Sequence, residues 1–239
     1  MHYTQVLELR PEDESVRYLL ASLLGTPLDQ APDAYVRNFF DTYAEGFEHS
    51  LVDELGYDNP QKLFECLCNS SARSSAYEHG LDLGCGTGLS GLSFKGVVNV
   101  LDGVDLSRNM LTQAAKKGCY TLLHPDSISH HLDATGETYD FFLATDVFIY
   151  VGDLLKIFTA AQALARPEAL FCFSTEHLAA GGFQLLQTGR FAYSHDYIRQ
   201  IAASTGWTVL ALEPTLLRKE REAWISGDLW ILRIDPPPS

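Results

Sequence analysis

The chain has 239 residues, of which 17 are Lys or Arg and 31 are Asp or Glu, for a formal net charge of −14. A negative surplus of that size repels polyanions and so disfavours nucleic acid as a partner. Hydrophobic content of 46% suits a chain with a real core, and no apolar run approaches the ~18 residues of a membrane span.

The start, Met1-His2-Tyr3-Thr4-Gln5, lacks the basic flank and apolar stretch of a secretory signal. Five cysteines, Cys66, Cys68, Cys85, Cys119 and Cys172, form no C-x-x-C pair. Reduced thiols in a cytoplasmic protein, with no disulfide framework and no metal site, are the expectation. His124, His130 and His131 carry no matching carboxylate pattern for a metal and read as solvated loop residues.

Taken in chain order, residues 1–25 read as two short helices. Pro11 followed by Glu12-Asp13-Glu14 sets up the second, whose Val16, Leu19, Leu20, Leu23 and Leu24 recur at helical spacing before a Gly25 cap. Thr26 to Asp33 is a proline-containing linker, which divides the chain into a helical segment, 1–32, and a main domain, 33–239. Tyr35 to Glu48 reads as an aromatic-rich helix that breaks near Gly46. Residues 60–75 form an amphipathic helix with Leu63, Phe64, Leu67 and Cys68 inward, ending in a Ser-rich loop.

Strands follow at about Tyr77–Leu83, 97–104, Tyr120–Leu123, Tyr139–Ala144 and Ala169–Ser174. Helices are expected from Ser107, which serves as an N-cap, and at Asp153–Leu164 and His195–Thr205. The almost wholly apolar Tyr139–Ala144 has the composition of a buried parallel strand. Two last strands, near Thr208–Leu217 and Leu229–Ile234, should pair as an antiparallel hairpin across a polar turn. Pro236-Pro237-Pro238-Ser239 reads as a disordered tail. Strands alternating with helices imply an α/β fold, a Rossmann-like doubly wound seven-stranded sheet with an antiparallel C-terminal strand, plus N-terminal helices.

The densest signal is Asp82-Leu83-Gly84-Cys85-Gly86-Thr87-Gly88 between the first strand and a small-residue helix start. Alternate glycines permit a sharp turn and close approach of a ligand. Downstream, Asp105 ends the second strand, where nucleotide-binding folds hold a ribose by its hydroxyls. Gly86 to Gly91 also fits the dinucleotide pattern G-x-G-x-x-G, so NAD has to be weighed. The register argues against it. A carboxylate at Asp82 beside the loop would repel a pyrophosphate, whereas it suits a cofactor carrying an ammonium and a sulfonium.

The run resembles motif I of class I S-adenosylmethionine (SAM)-dependent methyltransferases. From Asp33 onward the chain resembles the predicted methyltransferases grouped with tetratricopeptide repeats, which are related to ubiquinone-biosynthesis-type methyltransferases. The stretches that carry the likeness are Tyr35–Phe47, Leu81–Gly88, Gly103–Met110, Tyr139–Leu154, Gly189–His195 and Leu217–Glu220. Leu7–Pro11 and Leu20–Gly25 resemble a repeat junction, but about one repeat is present, and a lone repeat cannot build a solenoid. A cap on the main domain, with protein contact through the N-terminal helices as a further option, is the expectation.

The resemblance implies SAM as cofactor and a role for each matched residue. Gly84, Cys85 and Gly86 would contact the methionine moiety through backbone atoms, with Thr87 and Gly88 shaping the turn. Asp105 would accept both ribose hydroxyls. Leu106 and Met110 would flank the adenine, next to Ser107. Asp126 would accept from the adenine amino group and the Ser127 amide would meet the ring; Asp126 as a plain turn residue stays open. Thr145, Asp146 and Val147 end strand four at the productive edge of the sheet. Phe40, Asp41, Tyr43, Ala44 and Phe47 match a pre-domain segment in which Tyr43 would lie over SAM as a lid. Cys85 reads as small filler rather than a nucleophile.

Transfer from a sulfonium needs alignment and exclusion of water more than it needs a base. Ala144-Thr145-Asp146-Val147-Phe148 departs from the Asn/Asp-Pro-Pro-aromatic run of amide methylation. The expected acceptor is a small molecule, with Tyr150, Glu176, His177, Arg190, Tyr193 and His195 as acceptor-side candidates. A SAM-binding regulatory or partner-binding protein without turnover is the alternative, since Asp82, Gly84, Gly86, Gly88 and Asp105 would serve both.

Overall fold

Burial follows the apolar runs. The computed structural model describes residues 2–72, 76–221 and 223–235. Five parallel strands form its centre: β1 (Tyr77–Leu83), β2 (Val98–Asp105), β3 (Leu122–Pro125), β4 (Tyr139–Ala144) and β5 (Ala165–His177). They stand in the order β3-β2-β1-β4-β5. All but one residue of β4 is buried, as its apolar composition requires.

Beyond β5 the sheet is closed by β9 (Ala223–Ile234), antiparallel to β5, which pairs in turn with β8 (Trp207–Glu220). These seven strands are the expected doubly wound sheet with its antiparallel C-terminal strand. Two three-residue strands that the periodicity missed, β6 (Phe183–Leu185) and β7 (Phe191–Tyr193), form a small hairpin on the C-terminal end of β5.

Helices cover both faces. On one side α4 (Asn59–Asn69) and α5 (Leu89–Phe94) pack Leu63, Cys66, Leu67 and Phe94 against Phe141, Leu143, Leu170 and Cys172. On the other, α7 (Ile128–Ala134), α8 (Leu155–Leu164) and α9 (His195–Ser204) pack against Leu81, Leu83, Phe142, Phe171, Phe173 and Trp207. Residues 170–173 alternate between the two cores, as side chains on a strand must. α6 (Arg108–Lys117) starts at Ser107, whose hydroxyl accepts from the Met110 N–H at 3.1 Å. It ends at Gly118, with φ +60°.

The N-terminal helices α2 (Glu14–Leu24) and α3 (Asp33–Tyr43) lie against the same body, and α1 (His2–Leu9) packs on α2. Tyr18 of α2 is buried among residues of the main core, and its hydroxyl donates to the Gly189 carbonyl at 2.8 Å. The linker is tied down as well: the Ala31 N–H donates to the Tyr150 carbonyl at 2.9 Å. A π-helix, His49–Glu54, follows α3. Among the described residues no helix is long and apolar enough to cross a membrane.

Several boundaries differ from the sequence expectation. α7 was not foreseen, and α4 stops at Asn69. The Ser-rich loop after it lies partly outside the described residues, and the tail Pro236–Ser239 lies wholly outside them. β3 runs two residues later than expected because Tyr120 leaves the strand to place its hydroxyl on Asp82. The last hairpin is longer than its apolar stretch. Residues 218–220 and 223–228 stay in strand, and Arg218 turns into the protein onto two carboxylates.

Candidate active site

The order β2-β1-β4-β5 reverses chain direction between β1 and β4, the position where open α/β sheets bind ligands at the carboxyl ends of their strands. A cavity of about 350 Å³ lies at that edge. The loop after β1 forms its floor. Gly84, Gly86 and Gly88 have φ of +70°, +53° and +90°. A Cβ at Gly84 would stand 2.2 Å from Val147 Cγ2, whereas at Gly86 it would meet nothing within 4 Å, which leaves that backbone open.

The loop is tied to β2 by its own donors. The Gly84 and Cys85 N–H groups donate to the Val104 carbonyl at 2.8 and 3.0 Å. The Gly86 N–H donates to Asp105 Oδ2 at 2.9 Å, and the Ser107 N–H to Asp105 Oδ1 at 2.8 Å. Asp105 is therefore held by both oxygens with its outer lone pairs free to accept more. Burial raises its carboxyl pKa to about 6, against the lowering effect of those two amides.

Of the residues named from sequence, Gly84, Cys85, Gly86, Thr87, Asp105, Leu106, Met110, Asp126, Ser127, Thr145, Asp146 and Val147 all line the cavity. Tyr43, Asp82, Gly88 and Ser107 do not. Asp82 is fully buried behind the loop, where the Tyr120 hydroxyl donates to its Oδ2 at 2.7 Å and its Oδ1 has no partner among the described residues. Burial pushes its pKa up to about 7. Its position is that of a support: the Tyr120 ring it holds lies where a Cβ on Gly88 or Gly91 would come within 3.0 Å or less. Gly88 sits in this packing layer, and Ser107 caps α6 while donating to Asp41 Oδ1 at 2.5 Å.

Tyr43 is 54% exposed at the end of α3, with its ring against Phe39. The cavity side of that segment belongs instead to Phe39, Phe40 and Phe47, with Phe40 edge-on to Tyr150 at 5.5 Å. Helical phase does not separate these rings, since Tyr43 lies three and four residues after Phe40 and Phe39; Tyr43 is excluded because it stands at the exposed end of α3, where the chain turns before Phe47. The Ser127 amide is likewise not available to a ring: it donates to Asp126 Oδ1 at 2.8 Å, and the Ser127 hydroxyl caps α7. Asp126 Oδ2 lies 2.6 Å from His130 Nδ1. Cys85 is buried, with its thiol pushed well above the usual range by burial, which fits filler and not a nucleophile.

The opposite wall is ionic. Arg218 Nη1 donates to Asp146 Oδ1 and Oδ2 at 2.5 and 2.6 Å, and Nη2 donates to Glu176 Oε1 at 2.5 Å. Arg190 Nε donates to the same Glu176 oxygen at 2.8 Å, and its Nη2 lies 2.7 Å from Glu220. Asp146 has φ +54°, unusual for a non-glycine residue, and its N–H donates to Ser174 Oγ at 2.8 Å. Burial raises the Glu176 pKa, and Arg218 and Arg190 oppose that rise.

Arg218 was not assigned to the site from sequence, although it lies in Leu217–Glu220, one of the stretches that carry the family likeness. Tyr57 and Ser90, which also line the cavity, had no such signal. The aromatic stripe of residues 39–47 was legible, but not which ring would face inward. Among the acceptor-side candidates, Tyr150 and Arg190 line the cavity and Glu176 stands behind them. Tyr193 is fully buried with its hydroxyl donating to the Phe148 carbonyl at 2.8 Å. His177 and His195 point away, onto Asp228.

Two polar features fit a bound cofactor. Thr87 Oγ1 is buried on the cavity wall with no partner among the described residues, and Asp105 presents the acceptor geometry of a ribose site. Comparisons with known proteins agree on the fold. The structure of DhpI in complex with S-adenosylhomocysteine (SAH) superposes with TM-score 0.62 at 15% identity, covering 86% of this chain and 98% of that one. Magnesium protoporphyrin IX methyltransferase from Synechocystis PCC 6803, with bound SAH, gives 0.62 at 14% identity over 85% and 99%. The N-methyltransferase NodS from Bradyrhizobium japonicum WM9, with SAH, gives 0.60 at 16% identity over 94% and 100%. No curated protein sequence matches the chain. A family model described as "Methyltransferase domain" matches residues 60–212. The chain belongs to this family, and it is a methyltransferase.

Proposed function

We propose that the protein binds SAM across the β1–β4 switch point and transfers its methyl group to a small-molecule acceptor. The observation that carries this reading is Asp105, fixed by the Gly86 and Ser107 amides at the rim of the cavity. Two charge-assisted bonds to vicinal hydroxyls would follow from that geometry. Leu106 and Met110 offer an apolar slot for a base, and Asp126 stands at its far side as an acceptor. Gly86 leaves room for close approach of the methionine portion, and Thr87 Oγ1 supplies a spare hydrogen-bonding group. The solved relatives that hold SAH support the same cofactor here.

When bound, SAM supplies the activated methyl group. This chain then has to orient the acceptor and exclude water. Phe40, Phe47 and Tyr150 give an apolar, aromatic enclosure on one side, and Arg218, Arg190 and Asp146 a polar one on the other. That combination suits an acceptor with a planar apolar body and a polar end. The net charge of −14 argues against a nucleic-acid acceptor. Residues 1–32 are read as a cap on the main domain, with Tyr18 as its anchor, and not as a repeat array. The likeness to the group with tetratricopeptide repeats remains part of this reading, as does a cytoplasmic location.

Calorimetry with SAM and SAH, with NADH as control, tests the reading. One-site micromolar binding of both SAM and SAH is expected. NADH binding in their place, or no binding, would sink it. Because Asp105 must be ionised to accept from both hydroxyls and its pKa is raised to about 6, SAM affinity should rise as pH increases through about 6.

A further inference from the structure

Outside the cavity, three potential metal ligands converge from three elements. His177 ends β5, His195 opens α9, and Asp228 lies in β9 directly opposite Thr175. Asp228 is 1% exposed. A buried carboxylate needs compensation, and the two imidazoles provide its side-chain contacts. His177 Nδ1 lies 2.8 Å from Oδ2 and His195 Nε2 lies 2.9 Å from Oδ1.

The two contacts are unlike. His177 makes an aligned hydrogen bond to the carboxylate. His195 Nε2 is buried and, despite its proximity, makes no aligned hydrogen bond among the described residues. It faces the other two ligand atoms without a proton donor or acceptor in line. One ligand atom from each residue lies within 4.8 Å of the others. Metal bonds of about 2.0–2.2 Å place tetrahedral ligand atoms roughly 3.3 Å apart, so modest side-chain rotation would close the set.

We propose that His177, His195 and Asp228 form a site for one divalent transition-metal ion, with Zn²⁺ the ion best suited to this donor set. Two imidazoles and a carboxylate are borderline ligands of the kind that Zn²⁺ accepts, and three protein ligands leave a fourth position open. The His177 and His195 side chains are 35% and 30% exposed, so solvent reaches the edge of the site. Successive strand residues point to opposite faces. The site is therefore on the other side of the sheet from Glu176, which holds Arg190 and Arg218 at the cavity wall. An ion here would clip the end of β5 to α9 and β9 beneath that wall. The proposal is independent of the SAM assignment.

The test is calorimetric titration of Zn²⁺ into the full chain, free of any affinity tag and stripped with chelator, in the absence of SAM. One site with micromolar or tighter affinity is expected, with a rise in Tm on adding Zn²⁺. His177→Ala and His195→Ala should each weaken binding by at least about tenfold, as loss of a ligand does no less than loss of its outer partners. Co²⁺ in place of Zn²⁺ should give the visible absorption of a low-symmetry four-coordinate site, lost in His177→Ala. Because the His177 ring is partly exposed, that variant should fold even if Asp228→Asn does not. Absence of binding would overturn the proposal, and so would binding that both histidine variants retain, since the remaining histidines and free cysteines would then be the ligands.

Discussion

The floor of the cavity draws on residues 84–110, which follow one another through the loop after β1, α5, β2 and the start of α6. Its contacts are backbone amides onto Val104 and Asp105 and need only two adjacent parallel strands. The ionic wall joins Asp146, Glu176, Arg190 and Arg218, which come from four separate elements and up to 72 residues apart. The first region is written locally and forms whenever the βαβ unit forms. The second exists only when the last hairpin has closed on β5. A locally encoded floor fits a shared cofactor, while a wall assembled at long range is where one methyltransferase can differ from another in its acceptor.

The comparison breaks most visibly at Arg218. Arg218→Ala would leave Asp146 without its ion-pair partner and Glu176 with Arg190 alone, and one-sided removal from a buried pair costs about 3–5 kcal/mol. Urea unfolding should show that loss, whereas an unchanged midpoint would mean that water already solvates the wall. On the floor, Asp105→Ala should leave the fold in place and weaken SAM binding tenfold or more, given about 1.5–3 kcal/mol for a charge-assisted bond. Unaltered affinity by calorimetry would remove the ribose assignment.

The support beneath the floor has a pH signature. Asp82 has its pKa raised by burial to about 7 from an ordinary 3.8. The native state thus holds a proton that the unfolded chain has released. Its contribution to stability is fully present below about pH 4 and is lost as pH rises through about 7. Asp82→Asn keeps the neutral form at every pH, so the wild type should lose Tm relative to this variant as pH rises across that window. Parallel Tm curves would show that Asp82 titrates normally. The smallest effects separate two neighbouring rings. Tyr43→Ala, exposed and off the cavity, should change stability by no more than about 0.5 kcal/mol and leave SAM affinity alone. Phe40→Ala opens the aromatic wall beside Tyr150 and should raise the KM for the acceptor. An effect of Tyr43→Ala on SAM binding equal to that of Phe40→Ala would restore Tyr43 as a lid.

Local residue patterns carried much of the parallel sheet and the glycine loop, while α7, announced only by its Ser127 cap, was missed. The almost wholly apolar Tyr139–Ala144 and the run Tyr77–Leu83 are strands at the limits expected from sequence. The spacing from Gly84 to Asp105 places a carboxylate one strand over from the loop, and the two are joined by a hydrogen bond. Ser107 and Gly118 bound α6 through their own conformational preferences. Period, turn chemistry and capping act within a few residues, and so they are visible in a linear chain.

What the tertiary structure alone decided are the choices between equivalent faces and between distant partners. Asp82 carries a carboxylate beside the loop, but burial behind it, on Tyr120, makes it a support. Tyr43 and Phe40 are near neighbours on one helix, and only the packing of α3 shows which ring lines the cavity. His177 and Glu176 are consecutive, yet the strand sends them to opposite sides, one to Asp228 and the other to Arg218. Long-range pairing and burial set these outcomes, because the energy of a charge or ring depends on what surrounds it and not on its neighbours in the chain.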